Sequence, residues 1–128
     1  MPEKLIWRYR VRLIIRKKQM AEFDQIAFEN MQRRIRETMQ RMWPEKCNPL
    51  PDQELAQLVN DSIDTGWSYG LLTEGDLLRF VNLSFTLGFD FPDSEQYPWA
   101  TEILHDYELS PEQKLDRIWG VLEPAKKA

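Results

Sequence analysis

Cysteine, histidine and glycine are all scarce in this sequence. Of 128 residues one is cysteine, Cys47, and one is histidine, His105. A lone thiol excludes an intramolecular disulfide, and one His with one Cys cannot complete the usual four-ligand zinc site. Five glycines suit helices better than a turn-rich β-sandwich. No run approaches the ~18 apolar residues of a membrane span. The N-terminal residues Met1 to Arg8 lack the apolar stretch of a signal peptide, so the cytoplasm is the expected compartment and no membrane partner is expected.

Catalytic patterns are missing as well. There is no glycine-rich phosphate loop, nucleophile elbow or dinucleotide fingerprint. His105 precedes Asp106, a pair that could orient a general base, but nothing in the sequence brings Cys47 to it. His105 is better read as a surface residue at a helix end, where a cation is favoured. The acids at Asp61, Asp64 and Asp90 to Glu95 do not follow the spacing of a calcium loop. The expectation is a non-enzyme with no metal and no cofactor.

What the chain does contain is a globular composition, 42% hydrophobic and 30% charged, which argues against disorder. A folded surface of roughly 7,000 Å² against about 22,000 Å² unfolded leaves room for a real core. The charge is divided. Lys and Arg outnumber Asp and Glu twelve to six from Met1 to Lys46, and are outnumbered five to fifteen from Cys47 to Ala128. Such a division can steer a partner or dock one half of a fold on the other.

Leu5 to Ile15 alternates Trp7, Tyr9, Val11, Leu13 and Ile15 with Arg8, Arg10, Arg12 and Ile14, a period of two that predicts an extended arm over residues 1–15. Its edge needs a partner, and three are open: the domain's own surface, a second copy in a symmetric dimer, or another protein's sheet. A helix running straight through is the competing reading. The arm also interleaves Arg with aromatic residues, which can hold phosphate and stack bases. The pI near 5.1 and the acidic remainder argue against a nucleic-acid partner.

From Arg16 the period becomes helical. Met20, Phe23, Ala27, Met31, Ile35, Met39 and Met42 form one stripe, broadened by Ile26 and Phe28, and Pro44 disfavours helical geometry at Trp43. The prediction is one long helix over about 16–43. Lys46 to Pro51 is a loop, and Asp52 is placed to cap a second helix with Leu55, Leu58, Val59 and Ile63 inward, stopping at Gly70. Thr73 caps a third, apolar on nearly every side from Leu77 to Leu87 and so central. Pro98 opens a short fourth. Ser110-Pro111-Glu112-Gln113 is a capping box opening a fifth, which ends at Glu123-Pro124, leaving 124–128 frayed. The fold class is therefore all-α: a compact bundle of about five helices over 16–123 behind an extended N-terminal arm.

Two places stand out as binding features. One is the arm at Trp7, Arg8, Tyr9 and Arg10. The other is the aromatic loop from Gly88 to Trp99, where Phe89 is the best exposed anchor, since loop aromatics that fill a partner's pocket dominate binding energy. Phe91 and Trp99 are as readily core.

An ordered series of residues carries a family resemblance: Tyr69-Gly70-Leu71, Thr73-Glu74, Phe80-Val81-Asn82-Leu83, Gly88-Phe89-Asp90-Phe91, Pro98-Trp99-Ala100, Ile103-Leu104 and Lys114-Leu115-Asp116-Arg117. Upstream, Ile15-Arg16, Gln19-Met20, Phe23, Pro44 and Cys47 fit the same series. Over Ile14 to Leu122 the chain resembles the small helical accessory proteins encoded in type VI secretion gene clusters beside spike, PAAR and effector-chaperone genes. The resemblance implies a bacterial co-chaperone or adaptor, whose partner is an effector chaperone, an effector or a PAAR protein. Leu5 to Leu13 lies outside the pattern. The acidic C-terminal part suggests an alternative, an immunity protein that plugs a basic toxin site.

Overall fold

The computed structural model describes residues 25–127, and these are all-helical with no strand among them. The helices are α1 (Gln25–Met42), α2 (Pro44–Cys47), α3 (Asp52–Ser68), α4 (Glu74–Leu87), α5 (Pro98–Leu104) and α6 (Pro111–Lys127), with a 3-10 turn at Phe91–Asp93. The arm over 1–15, the stretch 16–24 of the expected long helix, and with them Trp7, Arg8, Tyr9 and Arg10, lie outside the described residues.

Local chemistry accounts for most boundaries. Trp43 leaves helical geometry (φ −129°, ψ 55°) before Pro44, as the clash between a proline ring and its predecessor requires. Pro44 then starts the extra short helix α2, which overlaps the start of the loop predicted from Lys46. At the end of α3, the N–H of Leu71 bonds the Gly66 carbonyl (3.1 Å) and that of Gly70 bonds Trp67's (2.9 Å). This is a Schellman closure, with Gly70 at φ +87°. Thr73 accepts from the Asp76 N–H at 3.1 Å and caps α4. Ser110 and Gln113 form the reciprocal box, 2.9 Å and 3.2 Å.

Three expectations need correcting. Asp52 is the first residue of α3 rather than its cap, because Pro51 occupies that place and its carbonyl accepts from Leu55 at 3.0 Å. Helix α6 runs on to Lys127, past Pro124. A proline there forfeits one bond to the preceding turn, and the helix continues across the gap. The third correction is to part of the α1 stripe, in which Phe28, Ile35 and Met39 are buried as expected. The helix's buried residues are Phe28, Gln32, Ile35 and Met39, whereas Ala27 is exposed, Met31 half-buried, and Ile26 and Met42 are 66% and 51% exposed.

The core lies where α3 packs on α4 and both receive α1. Gly66 makes the α3–α4 approach close: a Cβ there would stand 3.1 Å from both Leu77 and Phe80 side-chain carbons. Leu55, Val59, Ile63, Trp67, Leu77, Phe80, Val81 and Leu83 fill the interface. Buried Ser62 and Ser84 satisfy each other across it at 2.8 Å. Helix α6 covers α4 with Leu115 and Ile118, and α5 bridges α6 to the 3-10 turn, Thr101 donating to the Pro92 carbonyl at 2.7 Å.

The phase of α1 is open to a paired substitution. Met39, fully buried, and Met42, 51% exposed, are the same residue type one turn apart. Met39→Ala is expected to lower the unfolding free energy by about 2–5 kcal/mol and Met42→Ala by less than about 0.5 kcal/mol, measured by urea denaturation.

Candidate functional site

Helix α1 and the junction between α3 and α4 enclose an apolar groove of about 380 Å³. Ala27, Phe28, Met31 and Arg34 supply one wall at helical spacing. Trp67, Leu72, Thr73 and Glu74 supply the other. The Schellman closure explains the second wall: it turns the chain so that Leu71 is fully buried and Leu72 is left 47% exposed beside Trp67. The floor is aromatic, with Phe28 stacked on Trp67 at 4.7 Å between centroids and 26° between planes. Such pairs add to simple area burial. Volume and lining match the concave, mostly apolar character of ordinary binding pockets.

Polar groups are few and placed at the edge. Arg34 reaches Glu74 in a two-pronged ion pair, Nε to Oε2 at 3.0 Å and Nη2 to Oε1 at 2.7 Å, tying α1 to the first turn of α4. That hydrogen bonding holds the Glu74 carboxyl below the usual carboxylate range, against the opposing effect of partial burial. Both side chains are about half exposed, so solvent screens the pair. Trp67 Nε1 is buried with no hydrogen-bond partner among the described residues. An unpaired buried donor costs about 1–3 kcal/mol.

The loop anchors divide. Phe91 is fully buried, its ring 5.3 Å from Phe80's, so it is a core residue rather than a docking one. The 3-10 turn that it opens carries it inward. Phe89 is half-buried with its ring edge-on to Phe85 at 4.9 Å, and Trp99 half-buried edge-on to Tyr97 at 6.2 Å. They present partial surfaces. None of these three residues lines the groove.

The residues with chemical potential are occupied structurally. Cys47 is 2% exposed, its thiol directed at the Met39 carbonyl at 3.6 Å, and burial followed by the charge of Glu45 pushes its pKa up. A buried protonated thiol is a poor nucleophile. His105 is exposed at the end of α5, with Nδ1 2.9 Å from the Thr101 carbonyl and its ring edge-on to Tyr69 at 5.5 Å. Lys114 is buried, which lowers its pKa against the pull of Asp106, and its Nζ lies 5.7 Å from the Tyr107 ring centre. Among the described residues no group of three or more His, Cys, Asp or Glu could hold a metal ion, and no helix is long and apolar enough to cross a membrane.

No family model, curated protein or solved structure matches this chain.

The Arg34–Glu74 link gives a pH prediction with a definite sign. Glu74 gives up its proton more easily in the folded state, so its stabilisation is present above the unfolded carboxyl range and is lost as pH falls through the lowered folded value. An NMR titration of the Glu74 carboxyl is expected to show a midpoint below that of free glutamate, returning upward in Arg34→Ala.

Proposed function

We propose that this protein is a protein-binding accessory of a bacterial type VI secretion system. In this reading it is a non-enzymatic co-chaperone or adaptor that helps an effector chaperone hold an effector and load it with its PAAR or spike protein. The resemblance of the ordered motifs from Ile14 to Leu122 supplies the partner class, and the cytoplasm, where loading occurs, is the corresponding compartment. The observation that carries the binding role is the groove. It offers Met31 and the exposed aliphatic Leu72 over the Phe28–Trp67 stack, beside a fixed charge pair. Such a layout suits an apolar peptide segment whose side chains fill the groove, which supports this reading.

Leu72 is the residue to change, because it is exposed and its replacement leaves the core intact. Leu72→Glu is expected to weaken the complex with the neighbouring effector chaperone by about thirtyfold or more, the loss typical of a central anchor, in a titration of the purified proteins. Wild-type protein that stays free in the presence of chaperone, effector and PAAR protein would overturn the co-chaperone reading. Rescue of cells from the toxin by this protein alone would favour the immunity reading instead.

A further inference from the structure

We propose that the N-terminal half of α1 is a hinged cover, which swings off α3 about a fixed end at Trp43 and widens the groove for a partner. Its role in docking rests on the groove being the binding surface, whereas the swing depends only on how α1 packs. Three buried polar atoms point to it: Gln32 Nε2, Asn60 Oδ1 and Trp67 Nε1 have no hydrogen-bond partner among the described residues. All three belong to the seam between α1 and α3. Phe28 stacks on Trp67 at one end of that seam, and Arg36 and Gln40 share a polar cleft of about 370 Å³ with Gln53 and Ala56 toward the other. The antiparallel register between those points places Gln32 level with the turn from Asn60 to Ile63, and Gln32 is itself only 6% exposed.

A closed seam leaves these groups dry and unbonded, and an open one hydrates them, so each favours opening. The neighbouring seam lacks this bias. Between α3 and α4 the buried hydroxyls of Ser62 and Ser84 bond each other at 2.8 Å, and Gly66 lets the helices close up. The two ends of α1 are also held unequally. At the C-terminal end Trp43 donates to Asn82 at 2.8 Å and stacks on Phe85, and Lys46 donates to the Phe85 carbonyl. Nearer the other end, the charged link from α1 to α4 is the Arg34–Glu74 pair, about half exposed and screened by solvent. Segments with few well-satisfied contacts are the ones that open locally. The four α1 residues of the groove, Ala27, Phe28, Met31 and Arg34, all precede the pivot. Swinging them out lifts Phe28 off Trp67 and joins the groove to the buried face of Trp67 and Ile63.

Native-state hydrogen exchange on the full chain, followed by NMR in low urea, tests the swing. Amides from Met31 to Ile35 are expected to share one protection factor, at least about tenfold below those of Ile63 and Val81. Gln32→Met keeps the length of the side chain and removes the unbonded amide, and is expected to raise that shared protection about tenfold. Ile118→Val, in the contact of α6 with α4, is expected to lower protection at Ile63 and Val81 severalfold. It leaves Met31 to Ile35 unchanged, because α1 opens with that contact intact. Amides of α1 as protected as Ile63 and Val81, or falling with them in Ile118→Val, would overturn the proposal. So would protection that climbs residue by residue from Gln25, the mark of end fraying, or a Gln32→Met chain no better protected than wild type. The exchange data involve no partner, so they and the chaperone titration fail separately.

Discussion

Trp67 sits where three structural demands meet. It is the last large side chain of α3, its ring stacks on Phe28 of α1, and the residue before it, Gly66, lets α4 approach closely enough to bury Leu77 and Phe80. With these contacts made, α1 packs with Phe28, Gln32, Ile35 and Met39 inward. The phase then determines the surface. Ala27 and Met31 are turned to the flank, the Schellman closure brings Leu72 to face them, and the space between is the groove. Site and core are thus two sides of one packing arrangement.

The bundle's second half is held by different means. Trp43 at the α1–α2 break stacks 6.2 Å from Phe85, and its Nε1 donates to Asn82 at 2.8 Å. Lys46 donates to the Phe85 carbonyl at 2.5 Å with its charge 4.7 Å from the Trp43 ring centre. Arg79 pairs with Asp116 at 2.7 Å between α4 and α6. These contacts sit at the edges of a core that is otherwise aliphatic and aromatic, and they give the helix ends defined neighbours while their outer faces stay wet.

Features encoded within a few residues are legible in the sequence. The Ser110–Gln113 box, the Thr73 cap, the Gly70 closure and the break before Pro44 each depend on short-range chemistry, and each stands where the pattern places it. The phase of α1 is legible in part: Phe28, Ile35 and Met39 belong to the apolar stripe and are buried. Periodicity favours Ala27, Met31 and Met42 for burial, but the packing buries polar Gln32 and exposes Met42, since Trp67 needs Phe28 and no local signal records that need. Phe91 reads as readily core as binding, and the 3-10 turn carries it inward. The groove is illegible for the same reason: its walls come from segments about forty residues apart, and the exposed Leu72 looks like any linker residue until Leu71 is seen buried beside it. The N-terminal arm and residues 16–24, including Trp7 to Arg10, fall outside the described residues.

Under the proposed function the groove is the docking surface for a partner. Site-specific photo-crosslinking in the native cell addresses this most directly. A benzophenone residue is placed at Leu72, inside the groove, or at Met42, some three helical turns along α1 from Met31; both positions are about half exposed. Position 72 is expected to crosslink to the effector chaperone, effector or PAAR protein, and position 42 to none of them. Crosslinks from position 42 with none from position 72 would contradict the groove as the docking surface.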